Sequence, residues 1–141
     1  MAHGPFVLTT QRFVYIGDDD ASGLIYFASY FRYMADADQD FFREIGQPLI
    51  DSIRDGVSCP CVNATCDYVR PVRAGDELSQ VTTLEHPGRS SFKMVHRFYL
   101  NNTLAAEGHL SRVWTDLGTM TSAPLPQWLR DVSSPSPRVE K

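Results

Sequence analysis

Three consecutive carboxylates, Asp18, Asp19 and Asp20, run directly into Ala21-Ser22-Gly23. The whole stretch from Gly17 to Gly23 is made of turn-forming residues, and it separates a β-rich segment from the only long helical pattern in the chain. A carboxylate held there stands close to a helix N-terminus, where unpaired amides collect and carry partial positive charge. Such a group can attack an acyl carbon, or deprotonate a water that attacks, while the amides stabilise the developing oxyanion. A thioester suits this small set of groups because its thiolate leaves without help from a strong acid. On composition alone, the same residues also describe a solvated acidic turn.

Other constellations are weaker. The run Asp18-x-Asp20-x-Ser22-Gly23-x-Ile25 copies the early ligand positions of a calcium loop, but Ser29 stands where the bidentate Glu belongs and a strand precedes the loop. His86, His96 and His109 stand singly on strands or turns and read as satisfied surface or core residues. Cys59, Cys61 and Cys66 lack the C-x2-C spacing of a zinc knuckle and read as buried free thiols. Free thiols, with no leader-like pattern at the N-terminus, place the chain in the cytoplasm. No serine nucleophile elbow, P-loop or dinucleotide fingerprint is present.

The elements that must position the acidic turn follow from periodicity. Phe6 to Ile16 is rich in β-branched and aromatic residues and reads as a strand. Tyr30, Met34, Ala37, Phe41 and Ile45 then fall on one face of a helix of about four turns, with Ser29 as N-cap and Gly46 and Pro48 as the stop. Asp36, Asp38, Asp40 and Glu44 lie mostly off that stripe. Val57 to Tyr68, Glu77 to Glu85, Phe92 to Leu100 and Leu104 to Asp116 read as four further strands. Their short connections imply an antiparallel meander. The result is an α+β design in which one helix covers one face of a five-stranded antiparallel sheet. One helix leaves sheet edges open, so an oligomer is expected.

A chain of 141 residues fits one domain. That domain is expected to span 1–131, with a disordered Ser/Pro-rich tail at 132–141. The net charge of −4 argues against a general nucleic-acid binder, which would show a basic face. No apolar run reaches the ~20 residues that a membrane span requires.

The segment from Tyr15 through Gly17-Asp18-x-Asp20-Ala21-Ser22-Gly23-Leu24-Ile25-Tyr26-Phe27 to Tyr30-Phe31-Arg32-Tyr33-Met34 resembles the signature of the 4-hydroxybenzoyl-CoA thioesterase family. The resemblance covers approximately residues 8 to 131. It implies the hotdog fold, a five-stranded antiparallel sheet wrapped around one long central helix. It also implies an acyl-CoA or aroyl-CoA thioester substrate, no cofactor or metal, and a homo-oligomer, at least a dimer and by family a tetramer. Asp20 matches the aspartate that serves as nucleophile or general base. Gly23 permits the close turn, and the amides of Tyr26 and Phe27 match those that polarise the thioester carbonyl. Phe27 replaces a His common in the bacterial acyl-CoA branch, which favours an aryl-CoA style of site. Asp18 is expected to be structural, and Asp19, standing where Thr or Cys is usual, to raise the pKa of Asp20. Tyr30 and Tyr33, with Tyr26 and Phe27, supply aromatic surface for the acyl group.

Gly88-Arg89-Ser90-Ser91-Phe92 resembles the basic, Ser-containing turn that meets the CoA nucleotide in that family. Arg89, Ser90, Ser91 and Lys93 are therefore substrate-binding candidates, with Arg70 and Arg73 as weaker ones. The rival reading is a non-catalytic hotdog protein that binds acyl-CoA or an acyl-carrier protein. A dehydratase of the same fold is disfavoured because its His-centred motif is absent.

Overall fold

The computed structural model describes residues 4–135. Alternation in the first segment gives strand β1, Val7–Phe13, which pairs antiparallel with β4, Glu77–Glu85. β4 continues through β5, Ser91–Leu100, to β6, Thr103–Val113, and β3, Cys61–Tyr68, closes the far edge. The sheet order is β1-β4-β5-β6-β3, with every neighbour antiparallel.

Only β4, β5 and β6 form the expected meander. The connection from β3 to β4 is short but crosses from one edge of the sheet to the other side, because eight residues in extended form easily span three strand spacings of about 4.8 Å. The expected strand from Val57 to Tyr68 is interrupted at Pro60, leaving a separate β2, Val57–Ser58. That short strand pairs in a small second sheet with β7, Thr115–Asp116, and β7 pairs with β8, Thr121–Ser122.

Helix α1, Phe27–Glu44, lies across one face of the large sheet. Its predicted stripe of Tyr30, Met34, Ala37, Phe41 and Ile45 is buried, and Tyr33, Asp38 and Phe42 widen it. Packing is close: a Cβ on Gly108 of β6 would stand 2.2 Å from Met34 Sδ, so any larger residue here would displace the Met34 side chain. Beyond the helix, Phe42 meets Phe92 and Trp128 edge to face, and Trp114 meets Trp128 likewise. A short α2, Leu49–Arg54, follows α1, and α3, Gln127–Asp131, ends the ordered elements.

Two expectations about helix α1 are corrected. It begins at Phe27 with Tyr26 in the cap position, and Ser29 lies inside it, its hydroxyl donating to the Asp18 carbonyl at 2.9 Å. Asp38 is not off the stripe but fully buried. It accepts from Arg112 Nε at 2.8 Å and lies 2.8 Å from His96 Nε2, outside hydrogen-bond alignment.

The thiols are also not uniformly buried: Cys59 is, Cys61 is exposed and Cys66 is intermediate. The expected domain end at 131 falls too early, since Val132 is core and the Ser134 amide donates to the Leu84 carbonyl at 2.7 Å. The rest of the expected tail, 136–141, lies outside the described residues. No helix among the described residues is long and apolar enough to cross a membrane.

Candidate active site

Asp18 organises the acidic turn. Its carboxylate accepts from the Tyr15 amide at 3.0 Å and from the Tyr33 hydroxyl at 2.8 Å. Its carbonyl accepts from the Tyr26 amide at 2.8 Å and from Ser29 Oγ. The loop is thus bound to the first turns of α1 from both sides. Tyr33, expected to line the acyl site, instead serves this anchor from a buried position, and burial followed by the Asp18 contact pushes its phenol pKa up. A second set of bonds fixes the loop to the chain entering β4. The Ile25 amide donates to the Val72 carbonyl at 2.7 Å, and the Val14 amide to the Asp76 carbonyl at 2.9 Å.

Asp20 stands at the exposed crest of this loop. The turn closes through Asp20 N–H to the Leu24 carbonyl at 2.9 Å and Gly23 N–H to the Asp20 carbonyl at 3.0 Å. Gly23 has φ of +81°, a conformation that costs a residue with a Cβ. The Asp20 carboxylate accepts from the Ser22 hydroxyl and from the Ser22 amide at 2.8 Å. These two bonds, the hydroxyl foremost, hold its pKa below the ordinary carboxylate value. The expected upward push from Asp19 is not what prevails; the Asp19 carboxylate accepts from the Gly17 amide.

Of the two amides expected to polarise the carbonyl, one is already bonded. The Tyr26 amide is engaged by Asp18, whereas among the described residues the amides of Phe27 and Ala28, at the first two positions of α1, meet no acceptor. Beside them lies a groove of about 350 Å³ lined by Leu24, Phe27, Tyr30, Tyr68, Arg70 and Val72 among others. Asp20 does not line this groove. It borders it through Leu24. Tyr68 at the end of β3 reaches across to donate to the Phe27 carbonyl at 3.2 Å. Nothing in the periodicity points to Tyr68, because strand order alone brings the end of β3 to the start of α1.

The four candidates around Arg89 are not brought to this place within one chain. Their turn joins β4 to β5, whereas Asp20 neighbours the start of β4, so nine strand residues, roughly 30 Å, separate them. The Arg89 carbonyl accepts from the Leu125 amide and the Ser90 carbonyl from the Trp114 amide, which ties the turn to the C-terminal segment. Ser91 and Lys93 are exposed on β5. The cations that do adjoin the groove are Arg70, in its lining, and Arg73, paired with Leu24 in an isolated bridge.

One long helix laid on an antiparallel sheet, with an acidic loop at the helix start, defines the hotdog class of thioester-processing proteins. Residues 14–132 match the Thioesterase-like superfamily, and the chain belongs to it. It is 32% identical over 126 residues to a 1,4-dihydroxy-2-naphthoyl-CoA hydrolase of Synechococcus elongatus, covering 86% of this chain and 90% of the relative. Among solved structures, Slr0204, a 1,4-dihydroxy-2-naphthoyl-CoA thioesterase from Synechocystis, superimposes with a TM-score of 0.82 at 25% identity, covering 90% of this chain and 95% of that one. The gentisyl-coenzyme A thioesterase BH1999 gives a TM-score of 0.80 at 28% identity, over 90% and 100% respectively. The chain is therefore an enzyme, a thioester hydrolase of this superfamily.

Proposed function

We propose that the chain hydrolyses an aroyl-CoA thioester to the free acid and CoA, with Asp20 as the reacting carboxylate. The observation that carries this reading is the juxtaposition of an ionised Asp20, two open amides at Phe27 and Ala28, and an aromatic-walled groove. The thioester carbonyl oxygen points at the amides, which take up the charge that develops there. Asp20 either attacks the carbonyl carbon, giving an anhydride that water cleaves, or removes a proton from the water that attacks. In both routes the C–S bond breaks and the thiolate of CoA departs. The names of the relatives, naphthoyl and gentisyl thioesters, favour an aromatic acyl group over an aliphatic one.

A panel of benzoyl-, hydroxybenzoyl- and straight-chain acyl-CoA, read by thiol release, tests this. The aroyl esters are expected to turn over at least about ten-fold faster in kcat/KM, a discrimination of ~1.4 kcal/mol. Tight binding without thiol release would instead establish the non-catalytic acyl-CoA or acyl-carrier-protein binder. A cytoplasmic location belongs to this reading, since the substrate is an intracellular thioester.

The working unit is proposed to be a dimer at least, and a tetramer by family. Among the described residues β3 pairs with β6 alone, and Val62 on it is 64% exposed; near the acidic turn Ile16 is 94% exposed and Phe27 57%. An open strand edge beside exposed apolar side chains favours pairing with a second copy. That copy is also what would carry an Arg89 turn to the nucleotide of a bound CoA, while Arg70 serves from the same chain. Light scattering at micromolar protein is expected to return at least twice the mass of one chain, and a monomeric mass would remove the shared site.

A further inference from the structure

One residue lining the groove beside the helix start carries a buried hydroxyl with nothing to bond. Tyr30 lines it and is 1% exposed, yet its hydroxyl has no hydrogen-bond partner. The hydroxyl of Tyr68, whose ring lies against that of Tyr30, donates to the Phe27 carbonyl instead. The Tyr30 ring itself is held firmly, edge to face against Phe98 with centroids 4.9 Å apart and tilted against Tyr68 at 5.5 Å. A buried hydroxyl left unpaired destabilises the protein that carries it, and native proteins keep few of them. Burial, with smaller effects from Cys66, Tyr68 and Asp76, pushes this phenol far up, so it remains an O–H donor throughout the working pH range.

We infer that the Tyr30 hydroxyl is a specificity-determining group, which hydrogen-bonds an oxygen substituent on the ring of an aromatic acyl group bound in this groove. Three features converge on that ligand. The walls are aromatic and aliphatic, with Phe27, Tyr68 and Val72 around Tyr30, and so accept a flat apolar ring. Tyr30 lies about one helical turn beyond Phe27, and is buried where Phe27 is exposed, so it meets the far end of the acyl group and not the reacting carbonyl. Its hydroxyl is a neutral donor and acceptor, which suits a ring hydroxyl and offers nothing to an unsubstituted ring or an alkyl chain. A site with a buried polar group discriminates against the analogue that leaves that group unpaired.

This assignment rests on the thioesterase reading, and the experiment separates the two. kcat/KM is measured for benzoyl-CoA and its 2-, 3- and 4-hydroxy isomers, on the wild type and on Tyr30→Phe. In the wild type one hydroxy isomer is expected to exceed benzoyl-CoA about ten-fold or more. In Tyr30→Phe that ratio is expected to fall to near one, while the variant melts no lower than the wild type because an unsatisfied hydroxyl has gone. An unchanged ratio in the variant overturns the role of Tyr30. Equal rates on all four esters by the wild type overturn it too, whether or not the variant folds, and leave the hydrolase intact. Hydrolysis of none of the four removes the aroyl thioesterase reading, and the Tyr30 assignment with it.

Discussion

Asp20→Asn is expected to lower kcat on CoA thioesters by about 10²-fold or more, with a smaller change in KM. The substitution is nearly isosteric, and its amide oxygen can still accept from Ser22, so the turn has no reason to rearrange. The loop is anchored by Asp18 and by backbone bonds, not by the Asp20 side chain. What the variant loses is the negative charge that attacks or takes a proton. Asp18→Asn is the contrasting case: its carboxylate holds the Tyr15 amide and the Tyr33 hydroxyl, so it should affect stability before kcat. Because the Ser22 hydroxyl and amide hold the Asp20 pKa below its ordinary value, the carboxylate stays ionised as the pH falls through that value, and activity is lost only below it. Ser22→Ala removes the larger of these two effects and should move the acid limb of kcat/KM upward. Single-turnover thiol release by purified Asp20→Asn measures the main effect, and turnover near that of the wild type would take Asp20 out of the mechanism.

Local signals carried the parts of this molecule that are local. The buried stripe over Tyr30 to Ile45 and the acidic turn before it are written in spacing and stand where it puts them, although the helix starts two residues before the expected cap at Ser29. What depended on strand order was not legible. β3 reads like a member of a meander, yet it joins β6 at the far edge, and only that placement brings Tyr68 against the start of α1. The motif located Asp20, but not which amides remain open, because the Tyr26 amide is taken up by a carbonyl eight residues earlier. Tyr33 and Tyr30 stand three apart on the helix and looked equivalent. One reaches the Asp18 carboxylate and the other the groove, a difference set by where the loop folds back.

Asp38 shows the same limit from the side of stability, and replacing it is expected to have the largest effect on folding. A charged residue on a helix reads as solvent-facing, but Asp38 is fully buried on the inner side of α1. Arg112 answers it with Nε at 2.8 Å, while Arg112 Nη1 donates to the Cys59 carbonyl at 2.9 Å. His96 approaches from β5. Gln80 Oε1 accepts from Arg12, so Gln80 Nε2 faces His96 Nδ1 as a donor, which leaves Nε2, 2.8 Å from Asp38 Oδ1, as the ring's other polar atom. Asp38→Ala strands Arg112 in the core without its counter-charge, removes the carboxylate beside His96 and opens a small void. Breaking such a pair costs roughly 3–5 kcal/mol, a large share of the total stability of an ordinary domain. Urea denaturation should show this as a lower midpoint at unchanged slope. The double variant Asp38→Leu with Arg112→Met replaces charge by apolar volume on both sides and should recover much of the loss, since a buried ion pair contributes little net stability against well-packed apolar groups. A loss below about 1 kcal/mol in the single variant would mean that water reaches this cluster and that the ion pair is not what holds α1 on the sheet.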